Sequence, residues 1–255
     1  MDIFKETIKK FETNIDKEVG NIVSWIENKF KDTGVRGAVL GMSGGIDCCV
    51  VARLLQEAKI PVLLVKMPYG QSMDFAGDRD DADDLINKFN FKSITIDITN
   101  EVDMIVKKLK KANIEVSDIS RANIMPRVRM TNLYAIGQTL GYLVAGTGNL
   151  SERTMGYFTK WGDGACDFNP IANFTKTEIR IIAKYLDIPE RIISKAPSAN
   201  LWKNQTDEDE MGISYYDLDK YILTGEGNKN VKEMVENTKK KVAHKNKPID
   251  VFKKL

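Results

Sequence analysis

Four short apolar runs, each followed by a stretch of helical periodicity, constrain this chain most. The runs are GAVLGM (37–42), PVLLVKMP (61–68), SITIDIT (93–99) and YLVAGT (142–147). Helical patterns occupy 47–58, DADDLINKF, EVDMIVKKLKKA and RVRMTNLYAIGQTL, the last expected to open at Pro126, a residue favoured at the first helical position. Buried strands alternating with helices predict an α/β fold: a doubly wound, Rossmann-like parallel sheet flanked by helices. Phe4, Ile8, Phe11, Ile15, Val19, Ile22, Ile26 and Phe30 recur at three- and four-residue spacing. That stripe predicts one long amphipathic helix over 1–33, ended at Thr33-Gly34, serving core packing or a dimer contact. TKTEIRIIAKYL predicts a further helix with Thr175 and Glu178 placed as a capping box. SKAPSANLWKNQTDEDEMG lacks apolar periodicity, so a mobile loop is expected over 198–212. No internal repeat is found, and one domain over 1–255 is expected.

Composition narrows the class. With 38 basic and 36 acidic residues, the net charge of +2 gives no strong bias toward nucleic acid. Seven lysines crowd 239–254, a run that reads as a solvated helix face or tail. The three cysteines, Cys48, Cys49 and Cys166, form no CxxC pair, which argues against zinc or thioredoxin-like chemistry and fits a reducing compartment. The N-terminus carries charges throughout and lacks the apolar core of a signal peptide. No run approaches the ~18 apolar residues of a membrane span. A cytoplasmic protein without a membrane or nucleic-acid partner is expected.

The stretch GMSGGIDCC (41–49) sits where a doubly wound sheet places ligands, at the carboxyl end of a strand. Its glycines let backbone N–H groups approach an anion, and the following helix N-terminus adds a positive dipole end. A plain tight turn would also use two glycines, but Ser43 and Asp47 weigh against it. Asp47 would repel a phosphate unless Mg²⁺ lies between them. The lysine-bearing phosphate loop is absent, since no Gly-Lys pair occurs in the chain. GTGNLS (146–151) imitates a dinucleotide fingerprint but lacks its third glycine.

SGGID is similar to the SGGxDS loop of the ATP-pyrophosphatases, enzymes of adenine nucleotide alpha hydrolase-like fold that cleave ATP between α- and β-phosphates. AGTGNLSERTMGYFTKWGDGACDFNPIANFTKTEI, KAPSANLW, DEMGISYYDLDKYI and AHKNKP together resemble the ammonia-dependent NAD synthetases. The resemblance spans essentially the whole chain, and YFTKWGDG is far more specific than the SGG loop. No glutaminase domain is expected, so free ammonia would be the nitrogen donor.

Carried over by position, the resemblance implies an ATP loop at Gly41, Met42, Ser43, Gly44, Gly45, Ile46, Asp47 and Cys48, with Thr147, Lys176 and Ser198 as further ATP contacts. It implies a Mg²⁺ site at Asp47 and Glu152, and deamido-NAD contacts at Arg127, Lys160, Asp167, His244 and Lys245. Asp163 and Lys176 are the catalytic candidates, Asp163 to hold or deprotonate ammonium. Without the resemblance, Asp163 reads as a turn residue and His244 as incidental, while Arg127, on a helix where arginines commonly face solvent, stands just after a Pro at the expected helix N-terminus, which slightly favours ligand contact. A cation at Lys176, the first position of its helix, opposes the dipole and needs a reason. Two positions depart from the family pattern: Cys48 replaces Ser, and Ser198 replaces Thr. The implied reaction joins ATP, as co-substrate, to deamido-NAD and ammonia in a homodimer. The alternatives are another ATP-pyrophosphatase, such as a tRNA-modifying enzyme, or a non-catalytic adenine-nucleotide binding module.

Overall fold

The computed structural model describes residues 2–31, 34–70, 78–197 and 206–253. Four strands, β1 (Gly37–Gly41), β2 (Val62–Lys66), β3 (Lys92–Thr95) and β4 (Tyr142–Val144), form one parallel sheet in the order β3-β2-β1-β4. Successive β1 side chains point to opposite faces. Ala38 and Leu40 enter one apolar cluster and Val39 the other, so the strand must be apolar throughout. The first cluster is covered by α2 (Ile15–Lys31), α3 (Ile46–Glu57) and α8 (Lys176–Tyr185). The second is covered by α5 (Thr99–Lys111) and α6 (Asp118–Leu140). A helix α4 (Asp78–Phe89) joins β2 to β3, and α9 (Glu190–Ser194) follows α8.

Strand order fixes where a ligand can enter. The chain runs outward from β1 through β2 to β3, then returns to place β4 on the other side of β1. The crevice between the carboxyl ends of β1 and β4 is therefore the topological switch point. The SGG turn follows β1 there, and α7 (Leu150–Met155) follows β4. A third cluster, Met155, Ile213, Leu218 and Val235, ties α7 to α11 (Tyr215–Thr224) and α12 (Lys229–Asn246).

Three sequence expectations change. The N-terminal stripe is two helices, α1 (Ile3–Thr13) and α2, because Thr13 and Asn14 turn their side chains onto the Lys9 and Lys10 carbonyls at 2.8 Å each. Such local bonds compete with the helical ladder, and Asn14 leaves helical geometry at φ −105°, ψ 17°. Thr33, expected to end that helix, lies outside the described residues. Helix α6 begins at Asp118 rather than Pro126, because the Ser117 side chain caps it by accepting from the Ser120 amide, leaving the proline inside. Its missing N–H removes one bond, a smaller loss than two further turns of helix. Within the expected loop, α10 (Asp207–Met211) forms under the Thr206 cap, while 198–205 lies outside the described residues. Among the described residues no helix is long and apolar enough to cross a membrane, and the three cysteines form no disulfide.

Candidate active site

The crevice holds a cavity of about 520 Å³, lined at one end by the loop after β1. Gly44 has φ +91°, a left-handed conformation that a side chain would strain. Gly45 is the N-cap of α3 and brings no side chain to cap it, so among the described residues the first turn, which lines the cavity, keeps its amides uncapped. Ser43 Oγ accepts from the Gly45 amide at 3.2 Å, shaping the turn from within. Cys48 is buried, with its thiol 3.0 Å from the Gly45 carbonyl and 3.4 Å from Ser43 Oγ. The thiol therefore braces the loop from behind.

Three helix starts converge on one ammonium group. Lys176 is the first residue of α8, held by the Thr175–Glu178 capping box, and is 2% exposed. Its Nζ donates to Asp47 Oδ2 at 2.5 Å and to Glu152 Oε1 at 3.0 Å. Asp47 comes from the first turn of α3 and Glu152 from the first turn of α7. Asn149 caps α7 in a capping box with Glu152 and also donates to Asp47 Oδ1 at 3.0 Å, joining the two carboxylates from the side. Burial alone would lower the Lys176 ammonium, but Asp47 and Glu152 outweigh it and hold it above the ordinary lysine range. Burial pushes Glu152 up to about 7, with Lys176 opposing and Asp47 adding to the rise. Two carboxylates share one cation, so the second carboxylate is poorly neutralised.

Asp207 adds a third acid to this wall. It is 4% exposed; its Oδ2 accepts from the Tyr215 hydroxyl at 3.0 Å, and among the described residues its Oδ1 has no hydrogen-bond partner. Burial raises its carboxyl above the usual range.

The opposite end is built by α6, the 156–165 segment and α12. Arg129 Nε donates to the Met67 carbonyl at 3.0 Å and places its guanidinium on the cavity wall. Asp163 lines the rim and accepts the Thr159 amide at 2.9 Å; crowding by protein atoms raises its pKa. Lys245 Nζ donates to the Gly156 and Phe158 carbonyls at 2.6 and 2.8 Å.

The structure thus gathers Gly41, Met42, Ser43, Gly45, Ile46, Asp47, Cys48, Thr147, Glu152, Asp163, Lys176 and Lys245 around one cavity. Gly44 lies in the same loop without lining it. Arg127, Lys160 and His244 form a chain outside the lining: Arg127 donates to the Lys160 carbonyl at 3.3 Å, and Lys160 Nζ to the His244 carbonyl at 2.7 Å. Asp167 is set at the end of the sheet, where Oδ2 accepts the Val144 amide at 2.8 Å and Oδ1 the Tyr134 hydroxyl at 3.3 Å. Ser198 lies outside the described residues. Asn149, Asp207 and Arg129 were not singled out from the sequence. Only Asn149 carried a local signal, since N-x-x-E opening a helix is a capping pattern.

An anion cradle backed by acids and a buried lysine, at the switch point of a parallel sheet, defines a nucleotide-handling α/β enzyme. The sequence profile of the NAD synthase family matches residues 18–254. The chain is 43% identical over 234 residues to the NH(3)-dependent NAD(+) synthetase of Carboxydothermus hydrogenoformans, covering 91% of this chain and 95% of that one. Its fold matches the NMN synthetase of Francisella tularensis with a TM-score of 0.86 at 33% identity, covering 92% of this chain and 97% of that one. It matches the NH3-dependent NAD synthetase of Campylobacter jejuni, in complex with nitrate, with a TM-score of 0.77 at 31% identity, covering 93% and 98%. The chain belongs to the NAD synthase family. It is an ammonia-dependent ligase of NAD biosynthesis.

Proposed function

We propose that this site activates the nicotinate carboxylate of deamido-NAD with ATP and then replaces the activating group with ammonia. The carboxylate attacks the α-phosphorus, the bond to the β-phosphate oxygen breaks, and pyrophosphate leaves. Ammonia then attacks the acyl carbon of the adenylate; AMP departs with the bonding pair, and a proton is lost from nitrogen. AMP is a far better leaving group than oxide, which is why the ATP step must come first.

The observation that carries this reading is the Lys176 ammonium held between Asp47 and Glu152 beside the SGG turn. In this reading the open amides of the turn hold the departing pyrophosphate, and Lys176 balances charge that builds on the transferring phosphorus. The acid-rich wall, including Asp207 Oδ1, which has no hydrogen-bond partner among the described residues, suits a hard divalent cation. Among the described residues no group of three or more His, Cys, Asp or Glu side chains could hold a metal, so phosphate oxygens would complete its shell. Asp47 and Glu152 would hold Mg²⁺, which when bound would neutralise charge on the pyrophosphate. Asp163, at the rim, holds ammonium or takes its proton. Arg129 and Lys245 face the anionic dinucleotide, with Arg127, Lys160, Asp167 and His244 further out. Ser198 completes the set of ATP contacts. A homodimer belongs to the same reading, as the family resemblance implies.

A second reading concerns the acid substrate alone. The likeness to an NMN synthetase favours nicotinate mononucleotide, which presents the same carboxylate. One assay decides: incubate with ATP, Mg²⁺ and ammonium, and offer either acid. AMP appearing with NAD⁺ from deamido-NAD supports the main reading, and turnover of the mononucleotide only would replace it.

A further inference from the structure

Behind the cavity wall, Asp219 on α11 is fully buried, and its carboxylate is shared by the segments that carry Glu152 and Lys176. Ser151 Oγ donates to Oδ1 at 2.5 Å, while the Thr177 amide and hydroxyl donate to Oδ2 at 2.8 and 2.7 Å. The Lys176 amide in turn donates to Ser151 Oγ at 3.0 Å. Ser151 immediately precedes Glu152, and Thr177 immediately follows Lys176. Among the described residues, the hydrogen bonds to the Asp219 carboxylate therefore all fall on the chain neighbour of a cavity residue.

Helix capping accounts for only part of this arrangement. The capping boxes Asn149–Glu152 and Thr175–Glu178 satisfy the N-cap and N3 amides of α7 and α8, and Ser151 Oγ and Asp219 take the two amides left open at the start of α8, those of Lys176 and Thr177. The bonds from the Ser151 and Thr177 hydroxyls go beyond capping. Asp219 ties the two starts to each other. A carboxylate accepts at both oxygens, which matches donors arriving from two sides; an amide in its place would turn an NH₂ toward one of them. Burying a carboxylate among neutral donors costs free energy, partly offset by the positive end of the α8 dipole. Burial raises the Asp219 carboxyl, and the bonds from Ser151 and Thr177 oppose the rise.

The same helix also reaches the other end of the lysine. Tyr215 lies four residues before Asp219, on the same face of α11. Its ring centroid is 5.3 Å from Lys176 Nζ, and its hydroxyl is bound to Asp207. The backbone of Lys176 is thus fixed through Asp219 and Ser151, and its ammonium through Tyr215.

We infer that Asp219 is a positioning residue for the adenylation step, setting the separation between Glu152 and Lys176 without touching substrate. This rests on the roles given to those two residues above. The test measures folding by thermal melt and steady-state kinetics with varied ATP for the parent, Asp219→Asn, Ser151→Ala and the double variant. Misplacing catalytic groups slows chemistry more than it weakens binding, so kcat per folded molecule of Asp219→Asn should fall about tenfold or more, with KM for ATP shifted less than about threefold. Ser151→Ala should lose less in the same direction. The double variant should match Asp219→Asn alone, because both act through one connection. Asp219→Asn that folds and keeps kcat within about twofold of the parent overturns the inference, as does a double variant whose losses multiply. If Asp219→Asn does not fold, Ser151→Ala decides: unchanged kcat overturns the role, and reduced kcat at unchanged melting temperature supports it. A parent chain that makes no product would sink the reading of the site; an active parent with unaffected variants would sink only the role of Asp219.

Discussion

Lys176 and Asp47, 129 positions apart in the chain, meet at 2.5 Å in the cavity wall, with Glu152 at 3.0 Å on the other side of the same ammonium. Lys176 is 2% exposed and the two carboxylates 16% each, so solvent screens this triad poorly. Lys176→Met should reduce kcat on the order of 10²–10³-fold, read as AMP release at saturating substrates. The protein should still fold, because Glu152 can take up a proton when its cation is removed. Lys176→Arg should also lose activity, since a planar fork does not occupy the position of a compact ammonium.

The triad predicts how the ligand-free protein responds to pH. Glu152 rises from 4.5 to about 7 on folding, chiefly through burial. Between those values the folded state keeps a proton that the unfolded chain has released. The stability from this group is complete below 4.5 and is lost as pH rises through about 7. Glu152→Gln should therefore flatten the dependence, narrowing the difference in Tm between about pH 5 and about pH 8 relative to the parent. Equal differences in both proteins would refute the assignment.

Arg129 tests the far end of the cavity. Its Nε is committed to the Met67 carbonyl, which aims the group at the cavity. Arg129→Met should raise KM for the anionic acid substrate about tenfold, a loss of about 1.4 kcal/mol, with kcat changed much less. Steady-state kinetics with varied acid at saturating ATP would check it. A fall in kcat at unchanged KM would instead place Arg129 in the chemistry.

Gly156 tests the seating of α12. It has φ +62°, and an added Cβ would stand 2.5 Å from both Val242 Cβ and Cγ1. Gly156→Ala should destabilise the fold by about 1–3 kcal/mol, through backbone strain and contact with a β-branched neighbour. It should also disturb Lys245, which is bonded to the Gly156 carbonyl. Gly20→Ala is the control: inside α2 with nothing within 4 Å of its Cβ, it should stabilise by about 0.5–1 kcal/mol. Denaturant titration of both variants measures the contrast.

What could be read from the sequence was what depends on local period and chemistry. Apolar runs alternating with helices gave the parallel sheet, and the SGG turn marked the mouth of the crevice. A lysine at the first position of α8 was conspicuous because it opposes the dipole, and Asp47 and Glu152 supply the reason. Asp219 left no such trace: its partners Ser151 and Thr177 lie 68 and 42 positions away, and no periodicity encodes that meeting. Arg129 looked like its neighbour Arg127, yet only Arg129 lines the cavity. The helix start at Asp118 was hidden because Pro126 is a stronger local signal than the Ser117 cap that overrides it.

The turn at Asn14 divides one apolar stripe between two parts of the molecule. Helix α2 packs on α3 and α8, and α1 packs on α8 and α11, with Phe4 edge-on to Tyr216 at 5.2 Å and Phe11 6.0 Å from Phe174. Helix α1 therefore adds to the backing of Lys176, reaching α11 as well as the apolar cluster beneath α8. Transient release of α1 should quicken amide hydrogen exchange in α8 and α11 while β1 stays protected. The first dozen residues, remote from every reacting atom, would then govern how long the lysine stays in register between catalytic cycles.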